Sequence, residues 1–273
     1  MKLSTIIRQH WAAVRTLLLL TVITGLVYPL LVWAVAQIPG LQAKADGSIV
    51  EVDGKAVGSS LIGQLFTDAD GNPLPQYFQS RPSVAGDGYD PMATSASNLG
   101  PEDIVDTADR TSLLTQVCTR SLEVGAANGV DGARPFCTGD GVGAVLSVLS
   151  PTDVVSVNQA CPAVPFVTSY NGATVRCNDG SDLSAGRLVA VEGSARAVVP
   201  ADAVTASGSG LDPDISPAYA DLQVDRVAQA RGISPEQVRQ IVADHTDGRA
   251  LGFMGEPTVN VLEVNLALDQ LGG

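Results

Sequence analysis

Lysine is almost absent from this sequence, and its absence excludes one large class of function. Only Lys2, Lys44 and Lys55 occur among 273 residues. A phosphate-binding loop of the G-x-x-x-x-G-K-[S/T] type needs a lysine that reaches the phosphates, and no lysine follows residue 55. The phosphorylation sequence D-K-T-G is absent as well. The sequence therefore contains no recognisable machinery for splitting ATP, and we predict no catalytic residue.

Closely spaced cysteine pairs are also lacking. The sequence has no C-x-x-C motif, which argues against zinc and thioredoxin-like sites. Its four cysteines are even in number and widely spaced, which is typical of structural disulfides in an oxidising compartment. Three pairings are possible, and the shortest loops favour the first with the second and the third with the fourth: Cys118–Cys137 and Cys161–Cys177.

Basic residues are few, and those near the start are set apart from the acids. The chain carries 29 acidic and 16 basic residues, for a formal net charge of −13. Lys2, Arg8 and Arg15 are the only charges before residue 16, so the remainder has 16 − 3 = 13 basic and 29 acidic residues, a net charge of −16. Such a surface disfavours nucleic acid as a partner and suits solubility or attraction of cations.

One uncharged stretch, Thr16–Ala36, stands out. Its 21 residues would reach roughly 32 Å as a helix, enough to cross a bilayer core of about 30 Å. Because basic residues precede it and the first acid is Asp46, the positive-inside rule predicts residues 1–15 in the cytoplasm and everything after residue 37 outside. A cleaved signal peptide is the alternative, since Ala34-Val35-Ala36 fits a cleavage pattern, although the run exceeds the usual length of about 7–15 residues.

A glycine and a proline interrupt this stretch. Pro29 removes one helical hydrogen bond and frees the carbonyl of Gly25, and Gly25 offers a flat patch for close helix contact. Two interpretations stay open. The first is a tolerated kink, and the second is packing of Gly25, Tyr28 and Pro29 against another membrane protein.

Composition divides the exterior chain into three parts: residues 37–117, an insertion at 118–198, and residues 199–273. In the first part, extended runs around Asp53-Gly54 predict a hairpin, and Pro101-Glu102 predicts a helix over Glu102–Leu122. The insertion contains all four cysteines, with strand-like pieces between Asn-Gly and Asp-Gly turns, and is predicted to be mostly β.

The third part shows strong helix signals. Ser216-Pro217 opens one predicted helix, which Gly232 ends, and Ser234-Pro235 opens another with a capping box at Gln237. A short strand at Thr258–Leu262 and a final helix are expected after them. The predicted fold class is α+β, with one N-terminal transmembrane helix followed by an extracytoplasmic mixed α/β domain that carries a disulfide-stapled insertion.

The candidate catalytic and metal-binding residues have few chemical partners. Ser207 and Ser209 lack a base, because His245 is the only histidine after His10. Asp212 and Asp214 flank a proline, as turn-forming residues do. With two histidines in the chain, no metal site is expected. The amides of Ser207, Gly208, Ser209 and Gly210 suit either phosphate binding or a tightly packed loop.

Several short segments follow one another in a characteristic order. They are Thr24–Leu31, Gly47–Ile49, Gly58–Phe66, Tyr77-Phe78, Arg81–Ser83, Ser97–Gly100, Val204–Asp212, Arg226–Arg231 and Val259–Asp269. The ordered set resembles the KdpC family, the C subunit of the Kdp potassium-transporting ATPase, over about residues 15–117 and 199–273. Residues 118–198 replace a short family linker and resemble nothing we can name. Asp214 also departs from the histidine or asparagine of many members.

The resemblance implies a non-catalytic accessory subunit of an ATP-driven, high-affinity potassium uptake complex in the cell membrane. Its implied partners are the lipid bilayer, a channel-like A subunit, a P-type B subunit that hydrolyses ATP, and a small single-helix F subunit. The family is needed for assembly and has been proposed to raise the ATP affinity of the B subunit, with ATP as a shared ligand contacted by Ser207–Gly210. The predicted topology opposes that contact, because it separates the segment from cytoplasmic ATP. The rival hypothesis is a stand-alone envelope module, membrane-anchored or secreted, that binds a ligand or acts as a hydrolase.

Overall fold

The computed structural model describes residues 3–271, which fall into two compact units that meet in sequence between Leu61 and Ile62. The first unit is dominated by one long helix. Helix α1 (Leu3–Val22), a π-helical turn (Ile23–Val27) and helix α2 (Tyr28–Ala36) follow one another without a break. This helix is long and apolar enough to cross a membrane. It begins at Leu3, 13 residues (16 − 3) before Thr16, the start of the predicted membrane span.

The π-helical turn shows how the helix accommodates its proline. Pro29 has no N–H, and its ring crowds the carbonyl four residues before it. The helix accommodates this ring by forming one wide turn, in which the Tyr28 N–H donates to the Ile23 carbonyl, five residues back. The hydroxyl of Thr24 also donates to the Leu20 carbonyl, at 2.7 Å. The proline is thus absorbed by a π-bulge within a continuous helix.

A short helix and a hairpin complete the first unit. Helix α3 (Gln42–Ala45) precedes strands β1 (Ile49–Val52) and β2 (Lys55–Ser59), which pair antiparallel. Asp53 and Gly54 between them both have positive φ, at 51° and 73°, as a type I′ hairpin turn requires. The hairpin predicted from Asp53-Gly54 is confirmed.

Three helices and a small sheet form the main core of the second unit. Helices α5 (Pro217–Arg231), α6 (Pro235–Asp244) and α7 (Val261–Gln270) pack with strands β8 (Asp214–Ile215), β9 (Thr246–Asp247) and β10 (Thr258–Asn260), in the antiparallel order β8-β10-β9. The Ser216 and Ser234 hydroxyls cap α5 and α6. These two helices start where the sequence predicts. Phe78, from the preceding loop, is among the fully buried side chains of this core.

Helix α4 (Leu113–Asn128) starts 11 residues after the predicted Glu102 (113 − 102), so that boundary is wrong. Asp106 accepts hydrogen bonds from the Ser112 N–H and hydroxyl, and Asp103 accepts from the Leu113 N–H. These carboxylates fix residues 103–112 as a loop, because aspartate side chains compete with helical backbone bonding. The helix crosses the predicted division at residue 118, and Val117 and Val124 pack against the main core.

The remaining part is a five-stranded sheet with its own small core. Strands β3 (Val145–Ser150), β4 (Asp153–Ala160), β5 (Ser169–Tyr170), β6 (Ala173–Asn178) and β7 (Arg187–Ala190) lie in the order β5-β6-β4-β3-β7. Only the β4–β6 pair is parallel. The disulfides are Cys118–Cys137 and Cys161–Cys177, with Cα–Cα distances of 5.5 and 5.1 Å. The mostly β, disulfide-stapled character and the favoured pairing are therefore confirmed.

Candidate functional site

The N-terminal helix has its predicted contact residues in open positions. No residue of Leu3–Ala36 is buried, and the Tyr28 side chain is 63% exposed. A Cβ atom added at Gly25 would approach only Thr21 Cγ2, at 4.0 Å. Gly25 therefore forms a smooth, unfilled position on the helix, one turn before Pro29. No neighbour among residues 3–61 requires a glycine there.

Most backbone N–H groups of the Ser207–Gly210 loop donate hydrogen bonds within the protein. The Ser207 N–H donates to the Pro82 carbonyl, at 2.7 Å. The Ser207 hydroxyl accepts from the N–H groups of Ser209 and Gly210, at 3.3 and 3.1 Å. Three of the four amides in this loop are thus engaged, and a phosphate would have to displace them.

The same loop forms backbone hydrogen bonds with the segment from Pro82 to Ser95. The Val84 N–H donates to the Ser207 carbonyl, and the Ser95 N–H donates to the Gly208 carbonyl. A Cβ atom at Gly210 would stand 2.2 Å from the Gly88 carbonyl oxygen, and its φ is +78°. Glycine is therefore required at this position by packing and by backbone conformation. The geometry matches the packed-loop interpretation of these residues.

The side chains considered for hydrolysis or metal binding make contacts within the protein. Asp212 pairs with Arg81 at 3.1 Å, whereas Asp214 accepts from Asn260, and burial raises the pKa of Asp214. His245 Nδ1 contacts the Ile241 carbonyl at the end of α6, at 2.9 Å. Over residues 3–271, no cluster of three or more histidine, cysteine, aspartate or glutamate side chains is arranged to hold a metal.

An exposed apolar loop was not predicted. Leu251, Phe253 and Met254, between β9 and β10, are 83%, 71% and 52% exposed. They alternate with Gly252 and Gly255, both at positive φ. Large apolar groups grouped in this way on a surface mark interaction sites. The signal in the sequence was the run Leu251–Gly255, where apolar residues sit between turn-forming glycines.

Together these features define a class of protein. A single apolar helix long enough to cross a membrane is joined in sequence to a mixed α/β unit. The class is therefore that of proteins with one membrane-capable helix and a folded α/β unit after it.

Comparison with known proteins identifies the family. The sequence model of the family described as "KdpC: K+-transporting ATPase, c chain" matches residues 10–129 and 182–270. The chain therefore belongs to the KdpC family, whose members are accessory rather than catalytic subunits of the potassium-transporting ATPase.

Curated relatives are similar over nearly the whole chain. A "Potassium-transporting ATPase KdpC subunit" of Kineococcus radiotolerans is 42% identical over 266 residues, covering 97% of this chain and 95% of that protein. A protein of the same description from Mycobacterium tuberculosis (strain H37Rv) is 40% identical over 264 residues, with 97% and 99% covered. Another, from Streptomyces coelicolor, is 39% identical over 272 residues, with 97% and 93% covered.

These matches change the interpretation of the insertion. An alignment that covers 97% of the chain must include most of residues 118–198, so this segment, which resembled nothing we could name, has a counterpart in that relative. Between its two matched parts the family model omits residues 130–181, a segment of 181 − 129 = 52 residues. That segment contains β3–β6 and the Cys161–Cys177 disulfide. Helix α4 belongs to the matched part.

Proposed function

We propose that this chain is a single-pass subunit of the cell membrane that holds a potassium uptake complex together from the outside. Its N-terminus lies in the cytoplasm, its helix packs against the large channel-like and P-type subunits and the small single-helix subunit, and the residues after 37 form an extracytoplasmic domain. Family membership supports the complex. The distribution of charge around the helix supports the orientation.

The observation that carries this proposal is the unburied helix with its π-bulge. A helix apolar on every side has to be surrounded by lipid or by other apolar protein. Within lipid, small residues let helices approach closely, and Gly25 has empty space where a Cβ would lie. We therefore assign Gly25, Tyr28 and Pro29 to contact with a partner helix.

The test is co-purification from membranes. In Gly25→Ile, a branched side chain fills the proposed contact, and we expect the yield of P-type subunit recovered with the tagged chain to fall at least several-fold. Ala34→Ile makes a similar change elsewhere in the same span and is the control. Equal recovery from both variants, at equal amounts in the membrane, would contradict the assignment.

The exposed apolar loop offers a second contact, outside the bilayer. Leu251, Phe253 and Met254 carry apolar surface on an otherwise acidic chain, which suits docking on the channel-like subunit near its potassium entrance. We expect the double change Leu251→Ser and Phe253→Ser to weaken co-purification of that subunit. Met92→Ser is the control, because Met92 is 92% exposed but stands alone. A loss of equal size in the control would contradict the docking site.

The acidic exterior adds a smaller effect. A net charge of −16 beyond residue 37 would attract cations weakly at low salt, and we propose that it enriches potassium at the entrance. Neutralising exposed acids should then reduce uptake at low potassium concentration only. Uptake that is unchanged at every potassium concentration would remove this part of the proposal.

A direct contact with ATP has less support than assembly. Three of four amides in Ser207–Gly210 are already bonded, and the proposed topology puts the loop on the other side of the membrane from ATP. Any increase in the ATP affinity of the P-type subunit would therefore act through assembly. A stand-alone hydrolase has no support in the arrangement of His245 and the serines.

A further inference from the structure

A cleft in the second unit has the composition of a small-ligand site. It lies between α4, α5 and the segment 73–83, with a volume of about 460 Å³. Its walls are mainly apolar, with Leu65, Pro73, Pro75 and Val124 among them. Ligand pockets in proteins are typically apolar clefts of about 300–1,000 Å³ with a few converging polar groups.

Two arginines border this cleft without a direct ion pair among the described residues. The Arg226 guanidinium donates to the side-chain oxygens of Asn128 and Gln223, at 2.9 and 2.7 Å, and to the carbonyl oxygens of Pro75 and Tyr77. The Arg120 guanidinium donates to the Val204 carbonyl and to Gln116 Oε1, at 3.2 and 3.1 Å. Neither takes part in an ion pair among the described residues.

The charges that line the cleft sum to one uncompensated cation. Arg81 is neutralised by Asp212 at 3.1 Å. Glu123, one turn along α4 from Arg120, also lines the cleft and offsets one guanidinium. This leaves a single positive charge in a cleft with apolar walls, on a chain that is otherwise strongly acidic. Burial lowers the pKa of Arg120 and of Arg226, and for Arg120 the negative charge of Glu123 opposes that shift.

Two hydroxyl groups at the cleft are also without partners. Tyr219 is only 4% exposed and lines the cleft, yet its hydroxyl makes no hydrogen bond among residues 3–271. Ser80 Oγ, in the opposite wall, is buried and has no partner there either. Buried hydroxyls are normally hydrogen-bonded. Burial raises the pKa of Tyr219 to about 12, so the phenol stays a hydrogen-bond donor at physiological pH.

Three polar side chains of helix α5 line this cleft. Tyr219, Gln223 and Arg226 are four and three residues apart, so they lie on one face of the helix. Gln223 is fully buried, and its side chain bonds both the Arg226 guanidinium and the backbone of Gln79. The Arg226 guanidinium is therefore held in position before any ligand arrives.

We propose that this cleft binds a carboxylate carried on a compact apolar group, either a free small acid or the end of a peptide chain. The carboxylate would accept hydrogen bonds from the Arg120 guanidinium and the Tyr219 hydroxyl, and it would neutralise the one positive charge that the cleft residues leave uncompensated. The apolar group would lie against the wall of prolines, Leu65 and Val124. One negative charge on the ligand balances the single positive charge of the cleft. A polyphosphate would instead bring an excess of negative charge next to Glu123. This site is independent of the proposed role in assembly.

The test compares an acid with its neutral counterpart, using the full-length chain in non-ionic detergent micelles. N-acetyl-L-leucine and N-acetyl-L-leucinamide have the same shape and differ in the charge. We expect ligand-observed NMR titration to detect binding of the acid and at least tenfold weaker binding of the amide. Equal binding of the two compounds would overturn the proposal.

Tyr219→Phe is the sharpest variant. It removes only a hydroxyl that has no partner in the protein, so the thermal midpoint should not fall. We expect the Kd for N-acetyl-L-leucine to rise about tenfold, as for a lost hydrogen bond to a charged group. Tyr170→Phe, in the five-stranded sheet, is the matched control and should leave the Kd unchanged. An unchanged Kd in Tyr219→Phe together with a stable fold would contradict the site.

Arg120 and a peptide ligand complete the test. Arg120→Gln should abolish detectable binding of the acid, and Arg120→Lys should restore part of it. If both variants bind like the parent chain, the carboxylate is held elsewhere and the proposal fails. Acetyl-Ala-Ala-Leu with a free terminus then separates the sources, because tighter binding than N-acetyl-L-leucine indicates a peptide end and weaker binding indicates a small acid.

Discussion

The N-terminal helix and the second unit differ in the exposure of their apolar side chains. Leu17, Leu18, Leu19 and Leu20 are between 51% and 65% exposed, whereas Phe78 and Leu268 are 0% and 1% exposed. Removing apolar area from water is worth about 25 cal/mol per Å², so the second unit gains this energy within itself and the helix gains it only from lipid or partners. Stability of the fold and attachment to the membrane are therefore separable properties of one chain.

Truncation of a core side chain should produce the largest effect on stability. Phe78→Ala removes a ring that is fully buried, in a residue whose backbone N–H and carbonyl both bond Asn265, at 2.8 and 3.0 Å. We expect the free energy of unfolding of the second unit to fall by about 3–5 kcal/mol. Leu20→Ala, on the exposed helix, should leave it unchanged. Urea titration of both variants in neutral micelles measures the difference, and equal losses would contradict the separation.

Loss of the first disulfide should have the next largest effect. Cys118 is fully buried on α4 and links it to Cys137, 19 residues along the chain. Replacing both with alanine should lower the unfolding free energy by about 2–4 kcal/mol. The comparison is the variant in which Cys161 and Cys177 are both replaced with alanine, because that disulfide lies within the five-stranded sheet region.

The two disulfide variants should differ in where protection is lost. Hydrogen exchange should increase in α4 and the main core when the first disulfide is removed, and only in β4–β6 when the second is removed. Loss of protection in the same residues from both variants would show that the insertion and the main core unfold as one unit.

Local signals explain which elements were predictable. The caps at Ser216 and Ser234 lie within three residues of the groups they bond, so the sequence alone locates α5 and α6. The start of α4 was misplaced because Asp106 reaches forward to Ser112, a side-chain contact that propensity does not describe. The π-bulge was not predicted, since a proline signals a disturbed helix without specifying how the helix adapts.

The cleft could not be predicted, because distant residues build it. Arg226 bonds Asn128 and Pro75, which are 98 and 151 residues away in sequence. Similarly, the Ser207–Gly210 loop is recognisable as glycine-rich, but its role depends on bonds to Pro82 and Ser95. The sequence identifies this loop as unusual, and only the tertiary structure distinguishes a packed loop from a binding loop.

A small effect is expected from one acidic loop at low pH. Arg110 and the Leu113 N–H bond the Asp103 carboxylate, each at 2.7 Å, and they lower its pKa to about 2. Because the folded-state pKa lies below the ordinary value of 3.8, this interaction stabilises the fold above that pH and is lost as pH falls toward 2.

We therefore expect Asp103→Asn to flatten the dependence of stability on pH between about 4 and 2. Asp109→Asn, at an exposed neighbour, is the control. The urea midpoint of each variant at a series of pH values measures the slope. A slope in Asp103→Asn that equals that of the parent chain would contradict the role assigned to this carboxylate.

Accessibility of single introduced cysteines to a membrane-impermeant maleimide tests the central claim most directly. Met92 is 92% exposed in the second unit, and Ser4 is exposed near the start of α1. With the chain spanning the membrane once and its bulk outside, Met92→Cys should be labelled in intact cells and Ser4→Cys only after the membrane is opened. Labelling of Ser4→Cys in intact cells, or protection of Met92→Cys until lysis, would contradict this topology.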